Sequence, residues 1–232
     1  MMQTILLSLF AGAMIPVGGY FACLRRGPRG DSGPLLPHTI MAFGSGALLS
    51  AVALVLVPQG SEAVAAPLAV ALFAAGGVGI AFLDRWFRQM GGSHGQMLAM
   101  MTDFLPEAAA LGALLAAGMT GEAYLLAGLI ALQNLPEGFN AWCETEDGPP
   151  GRKLLLFCGL ALLGPVAALA GEVFLADRDA ALGGLMLLAA GGILYLVLKD
   201  GVPKERPDDE WLPPLGAVAG FGLGLAGHLT VA

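Results

Sequence analysis

The sequence predicts an all-α polytopic membrane protein that crosses the bilayer eight times. Hydrophobic residues make up 56% of the chain and charged residues only 12%, whereas a soluble domain carries about 25% charged residues. The mean hydropathy is +0.75, and the 35 glycines suit close packing of helices in a lipid bilayer. No basic stripe accompanies the net charge of −7, so the composition gives no support to nucleic-acid binding and makes the lipid bilayer the expected surroundings.

Apolar runs of about 20 residues, the length that crosses the hydrocarbon core, recur along one transmembrane domain, 1–232, and define the predicted helices. The first run lacks a preceding basic segment and continues into Arg25 and Arg26, so we interpret it as a span and not as a cleaved signal peptide. The second run contains Gly44 and Gly46. The eight predicted helices are 2–24, 37–58, 66–87, 96–118, 122–143, 153–175, 181–203 and 211–231.

The positive residues predict the orientation of these helices. Of the eleven Lys and Arg residues, only Arg178 falls in an even-numbered loop. Because Lys and Arg are enriched in cytoplasmic loops, we expect the odd-numbered loops in the cytoplasm and both termini outside. The ten residues that share the predicted cytoplasmic side are Arg25, Arg26, Arg29, Arg85, Arg88, Arg152, Lys153, Lys199, Lys204 and Arg206.

An internal repeat is also predicted. Residues 46–58 in helix 2 and 191–203 in helix 7 share a pattern of glycine, aliphatic residues and a final proline. The two helices are predicted to run in opposite directions, which is typical of an inverted-topology repeat. Helices 1–3 would then match helices 6–8, with helices 4 and 5 as a central pair between them.

Two short polar stretches inside helices 4 and 5 repeat each other. They read DFLPEA from residue 103 and QNLPEG from residue 133. Each places an oxygen-bearing side chain four residues before a Glu, so Asp103 and Glu107 share one helix face, as do Gln133 and Glu137. If the two helices face each other, three carboxylates and one amide converge on one point.

This arrangement indicates a site for a divalent cation. Carboxylates inside a membrane are costly and mark functional sites. Asp103, Glu107 and Glu137 would place a formal charge of −3 in a dry location, so some must hold protons unless a cation compensates them. Metal binding would then release protons. The ligands are all oxygen, which suits harder ions, whereas Zn²⁺ commonly prefers His or Cys.

The prolines of the two stretches add backbone oxygen to this site. Pro106 and Pro136 lack an N–H, so the carbonyls of Thr102 and Leu132 lose their helical partners beside the proposed ligands.

Other polar residues in the predicted helices have alternative interpretations. Asn134 points about 100° away from Gln133, and either serves a neighbouring binding position or bonds a partner helix. Glu172 either lies in an outer vestibule or reaches the membrane interface. Lys199, beside Asp200, extends to the cytoplasmic surface or has a role inside the membrane. We interpret Asp84 as a marker of the interface.

The paired stretches resemble the motifs of the ZIP (Zrt/Irt-like) divalent-metal transporters, whose fourth and fifth helices carry H-N-x-P-E-G. The resemblance extends to residues 41–46 and 188–203. It implies eight transmembrane helices in a 3+2+3 arrangement, both termini extracytoplasmic, in a bacterial inner membrane. It also implies a secondary transporter, not an enzyme, that moves Zn, Fe or Mn toward the cytoplasm, without a cofactor, as a monomer or homodimer.

The resemblance also implies which residues would hold the metal. The family's first metal position corresponds to Asp103, Glu107, Gln133 and Glu137, with Asn134 as a further metal-ligand candidate. A second metal position, common in the family, corresponds to residue 104, Asn134 and a helix 6 residue, and here Phe104 and Gly164 stand at two of these places. Neither side chain can coordinate a metal, so we expect a single-metal site. The alternative function is a non-transporting relative with a metal-sensing or structural role.

Overall fold

The computed structural model of the protein describes residues 1–24, 35–90, 94–145, 148–175, 178–200 and 211–231. These residues form eight helices and contain no strand, which confirms the predicted all-helical class. Two of the eight consist of consecutive pieces. The helices are α1 (Met2–Leu24), α2 (Leu35–Ala51, Val52–Leu56 and Val57–Glu62), α3 (Ala66–Met90), α4 (His94–Ala116), α5 (Thr120–Glu144), α6 (Pro150–Ala161 and Leu163–Leu175), α7 (Asp179–Asp200) and α8 (Leu212–Val231).

Prolines account for two differences between the predicted and observed helices. The second helix was predicted to end at Pro58, but α2 passes it through the π-helical turn Val52–Leu56, in which the Val57 N–H donates to the Val52 carbonyl. The sixth was predicted to be continuous, but α6 is interrupted after Ala161. Pro165 explains the interruption, because it has no N–H to donate to the carbonyl four residues earlier.

A glycine ends α4 two residues before the predicted position. Gly118 has a φ of 80°, a left-handed conformation that glycine adopts without steric cost. The Met119 N–H donates to the Leu114 carbonyl at 3.0 Å, and the Gly118 N–H donates to the Leu115 carbonyl at 3.2 Å. This pair of bonds is the Schellman motif, which satisfies the last carbonyls of a helix. The last residues predicted for helix 7, 201–203, lie outside the described residues.

Six helices are long and apolar enough to cross a membrane. They lie within Met2–Leu24, His38–Glu62, Ala66–Trp86, Pro150–Leu175, Asp179–Lys199 and Leu212–Thr230. Large apolar side chains on their surfaces are exposed, including Val70 and Phe82 at 70% each and Leu155 at 74%. The chain is therefore a multi-pass integral membrane protein. The two helices outside this set, α4 and α5, carry the paired polar stretches.

Glycines bring α1 and α5 into backbone contact. A Cβ added at Gly18 would overlap the carbonyl of Leu135, and one added at Gly138 would overlap the carbonyl of Ile15. Each glycine thus lies against the carbonyl three residues before the partner glycine. Close backbone approach of this kind is how small residues hold membrane helices together.

The same reciprocal contact recurs in three further helix pairs. The glycines are Gly112 and Gly171 in α4–α6, Gly46 and Gly220 in α2–α8, and Gly76 and Gly191 in α3–α7. In every pair the overlapped carbonyl belongs to the residue three positions before the partner glycine. We call these four contacts the glycine crossings.

The helices of each glycine crossing run parallel. In α1–α5, for example, Asn134 contacts the carbonyl of Ala11, and Trp142 lies against Gly19, so both chains advance together. Odd-numbered helices are paired with odd-numbered ones and even-numbered with even-numbered, as expected when short turns make successive helices alternate in direction.

This alternation gathers basic residues at one end of the bundle. Arg85 and Lys199 lie near the ends of α3 and α7, and Arg152 and Lys153 at the start of α6. We call this end, marked by those four residues, the basic end, and Arg178 lies at the opposite end. The remaining basic residues of the predicted cytoplasmic loops lie outside the described residues, namely Arg25, Arg26, Arg29, Lys204 and Arg206, while Arg88 belongs to the last turn of α3.

Candidate cation site between α4 and α5

Both polar stretches lie within continuous helix. Pro106 is inside α4 and Pro136 is inside α5. The predicted spacing of four residues is therefore helical spacing, and each pair of polar side chains occupies one face. A proline in a helix interior removes one N–H from the ladder, which leaves backbone oxygen beside each pair.

A buried hydrogen bond joins the two stretches. Gln133 Nε2 donates to Glu107 Oε2 at 2.7 Å, and the two residues are 1% and 0% exposed. Asp103 is 6% exposed, and Asp103 and Glu137 both interact electrostatically with Glu107. The Gln133–Glu107 bond therefore brings the two stretches into contact, and Asp103 and Glu137 are close enough to influence the Glu107 carboxylate.

The direction of the helices sets the depth of each residue. Because α4 and α5 are antiparallel and Glu107 lies opposite Gln133, Asp103 and Glu137 fall at a common level. This level is about 6 Å nearer the basic end, since Asp103 precedes Glu107 by four residues in α4 and Glu137 follows Gln133 by four residues in α5. The cluster has an upper layer of Glu107 and Gln133 and a lower layer of Asp103 and Glu137.

The upper layer lies inside protein and holds oxygen atoms without donors. Glu107 Oε1 and Gln133 Oε1 are buried and accept no hydrogen bond from the described residues. Buried polar atoms are normally paired, so these two oxygens are candidates for cation ligands. No group of three or more His, Cys, Asp or Glu in the described part of the chain is gathered closely enough to hold a metal ion. The Gln133 amide now presents its nitrogen to Glu107. For both side chains to bind one cation, the amide would have to rotate so that its oxygen faces the same point as the Glu107 carboxylate.

Asn134 faces away from this cluster. Its Nδ2 donates to the Ala11 carbonyl of α1 at 3.0 Å, and the residue is fully buried. The sequence left two alternatives for Asn134, a neighbouring binding position or a hydrogen bond to a partner helix, and the structure contains the hydrogen bond. Asn134 Oδ1 is buried and accepts no hydrogen bond from the described residues.

The two residues expected to have replaced second-metal ligands pack against each other. Phe104 is 1% exposed, and a Cβ added at Gly164 would overlap its Cζ and lie 3.0 Å from its Cε1. A Cβ added at Gly12 would lie 3.0 Å from the same ring. The phenyl ring thus occupies the space between α4, α1 and α6, where glycines leave room for it.

A cavity of about 210 Å³ lies between α3, α4 and α7 and reaches the lower layer. Asp103 and Pro106 line it from α4, and Gly76 and Gly192 line it from α3 and α7. Most of the remaining lining is aliphatic. Asp103 and Thr102 are therefore the two polar residues among the described residues that line this cavity.

The sequence interpretation missed one polar cluster. Lys199 Nζ lies 2.5 Å from Asp84 Oδ1, although Lys199 was predicted to extend to the surface or act inside the membrane, and Asp84 to mark the interface. The available signal was the opposite charge of two residues near the same end of two odd-numbered helices. The other ambiguous acid, Glu172, accepts a hydrogen bond from the Met1 ammonium at 2.5 Å.

Comparison with known proteins adds no relative. No family model matches the chain, and no curated protein matches its sequence significantly.

Proposed function

We propose that the protein is a secondary transporter that moves a divalent metal cation toward the cytoplasm through a single site on α4 and α5. The observation that carries this proposal is the buried hydrogen bond between Glu107 and Gln133, which joins the two repeated stretches. Asp103 and Glu137 interact with Glu107 from one turn nearer the basic end. Zn, Fe and Mn are the candidate cargoes, and oxygen ligands favour the harder ions among them.

Charge compensation supports a cation as the substrate. Three carboxylates gathered inside a bundle repel one another, and burial removes the water that would stabilise them. A divalent cation would compensate two of the three charges, and a proton or a backbone dipole the rest. Loading and release of metal are then coupled to loss and uptake of protons, which provides a thermodynamic link to the pH difference across a membrane.

Two features support eight transmembrane helices. α4 and α5 contain 23 and 25 residues, so at about 1.5 Å per residue each exceeds the roughly 30 Å hydrocarbon core. Their polar residues are turned toward other helices, which shields them from lipid. With alternating helix directions, the basic end would face the cytoplasm, and both termini would lie on the outer side of a bacterial inner membrane.

The glycine crossings support an inverted repeat. If α1, α2 and α3 are matched to α6, α7 and α8, and α4 to α5, the α1–α5 crossing corresponds to α6–α4. The α2–α8 crossing then corresponds to α7–α3. Each correspondence matches a pair of odd-numbered helices with a pair of even-numbered helices, and the two pairs run in opposite directions. The set of contacts thus fits a 3+2+3 arrangement with inverted halves.

A non-transporting role in metal sensing or structure is the second candidate. The packing of Phe104 against Gly164 favours it, because the ring occupies positions where a ligand was expected. The lack of a closely gathered carboxylate group in the described residues points the same way.

Uptake into proteoliposomes tests the proposal. Purified protein would be reconstituted around a metal-sensitive fluorophore, and Mn²⁺, Zn²⁺ and Fe²⁺ added outside. We expect uptake by the wild type, loss of uptake in Glu107→Gln, and retention in Glu122→Gln, a matched change in the first turn of α5. Stoichiometric metal binding without uptake would instead support sensing, and binding of no metal by a folded protein would refute both transport and sensing and leave the structural role.

A further inference from the structure

An ion pair ties α3 to α7 near the basic end. Lys199 Nζ lies 2.5 Å from Asp84 Oδ1, and the Tyr195 hydroxyl donates to Asp84 Oδ2 at 3.3 Å. The side chains of Lys199 and Asp84 are only 17% and 7% exposed. Neither residue belongs to the site on α4 and α5.

The ion pair lies between two cavities. The cavity that reaches Asp103 is also lined by Leu83 and Leu196. Asp84 directly follows Leu83, and Tyr195 directly precedes Leu196. Both Asp84 and Tyr195 line a second, more open cavity of about 630 Å³. The linings of the two cavities thus meet at adjacent residues of α3 and α7, at the level of the ion pair and on the basic-end side of the Asp103 cavity.

The charge of the Asp84 carboxylate allows a metal cation to take the place of the Lys199 ammonium beside it. Removal of Lys199 alone would leave a buried carboxylate without compensation, which is strongly unfavourable. A divalent cation arriving from Asp103 supplies the missing charge as the ammonium leaves. Direct exchange thus avoids the unpaired state, and the Tyr195 hydroxyl holds the second carboxylate oxygen throughout.

We propose that the Asp84–Lys199 ion pair closes the basic end of the cation route, and that the passing divalent cation opens it by displacing the Lys199 ammonium from the Asp84 carboxylate. This inference rests on the proposed transport function. It assigns Asp84 as a release-side subsite for a divalent cation, with Lys199 as its resident counter-ion. Opening requires a small separation of α7 from α3 at the level of these residues.

Binding stoichiometry tests the subsite without measuring transport. Mn²⁺ binding to purified protein in detergent would be measured by the loss of the free Mn²⁺ signal in electron paramagnetic resonance. We expect one bound Mn²⁺ in the wild type, a second in Lys199→Met, and one again in the double variant Asp84→Asn/Lys199→Met. Lys153→Met, which removes a charge at the same end but outside both cavities, should bind one. A folded Lys199→Met that binds no more than the wild type would overturn the subsite.

A cross-link tests the required separation of α3 and α7. Leu83→Cys and Leu196→Cys, which lie on α3 and α7 in the lining of one cavity and leave the ion pair intact, would be combined in a chain whose natural cysteines, Cys23, Cys143 and Cys158, are replaced by Ser. A short, reducible bifunctional thiol reagent should lower uptake by at least about tenfold, as expected for a blocked conformational step, and reductant should restore it. The Mn²⁺ bound at α4 and α5 should be unchanged, and the single Leu83→Cys variant should be unaffected by the reagent.

The outcomes separate this inference from the function on which it rests. Wild-type protein that neither binds nor takes up metal would refute the transporter proposal and the ion-pair proposal together. Uptake that persists at full rate after complete cross-linking would refute the ion-pair proposal alone. The cross-link result also decides the matter if Lys199→Met fails to fold.

Discussion

The contact between Phe104 and Gly164 predicts an unusual coupling between two substitutions. Gly164→Ala alone should destabilise the protein, because the new Cβ overlaps the buried phenyl ring. Phe104→Ala alone should also destabilise it, since the ring is 1% exposed and its loss leaves a cavity. In combination, the alanine at position 164 fills part of that cavity, so the double variant should be more stable than the sum of the single changes predicts.

The magnitude follows from volume. Replacing the benzyl side chain of Phe104 by the methyl group of alanine removes roughly 100 Å³, and at about 24 cal/mol per Å³ the cavity costs about 2.4 kcal/mol. The transfer cost is small in a bilayer, because lipid is as apolar as the protein interior. Overpacking at Gly164 should cost about 1–3 kcal/mol. Relief of that overlap gives an expected coupling energy of about 1–3 kcal/mol.

Equilibrium unfolding in mixed micelles would measure the four free energies of the cycle. Phe174→Ala, on the same helix as Gly164 but 65% exposed, is the matched control and should change the free energy of unfolding by less than about 0.5 kcal/mol. Strictly additive losses would refute the reasoning, because they would mean that the ring and the glycine are not in contact. A Phe104→Ala variant that loses nothing would show that the space is not tightly packed.

Three further predictions concern the site and its supports. Asp103→His should raise the preference for Zn²⁺ over Mn²⁺ and flatten the pH dependence of binding, because imidazole is a softer ligand and one fewer carboxylate competes for protons. Competitive binding of the two metals across pH measures both effects, and an unchanged ratio of Zn²⁺ to Mn²⁺ affinity would exclude Asp103 from direct contact with the metal. Asn134→Leu should leave the number of bound metal ions unchanged but lower the free energy of unfolding by about 1 kcal/mol, since it removes the hydrogen bond to the Ala11 carbonyl. A variant that no longer binds metal would identify Asn134 as a ligand. Gly112→Ala should destabilise the protein by at least about 1 kcal/mol, because the new Cβ meets the backbone of α6. Gly128→Ala should not, because no atom lies within 4 Å of a Cβ added there. Equal effects of the two changes on the melting temperature would contradict the glycine crossing.

The sequence predicted the helices well because length and apolarity determine them locally. It failed at Pro58, where a π-helical turn carries the helix onward, and at α6, whose interruption lies four residues before a proline. It also predicted that the two polar stretches share a neighbourhood, because their spacing and symmetry are properties of single helices.

Contacts between distant helices were harder to predict. The partner of Asn134 and the pairing of Lys199 with Asp84 depend on how far one helix is shifted along another. That shift is set by the glycine crossings, which become visible only when both helices are placed. A lysine near a helix end has the same local sequence whether it reaches water or a carboxylate on a neighbouring helix.

The glycine crossings have a mechanical consequence for α4 and α5. The two helices belong to different glycine crossings, α4 with α6 and α5 with α1, so the Glu107–Gln133 bond connects one closely packed pair to the other. A hydrogen bond of 2.7 Å weakens steeply if its atoms separate by even 1 Å. Any sliding of one pair past the other would therefore separate the proposed cation ligands on α4 from those on α5. Affinity and helix movement would change together, without a separate signal to connect them.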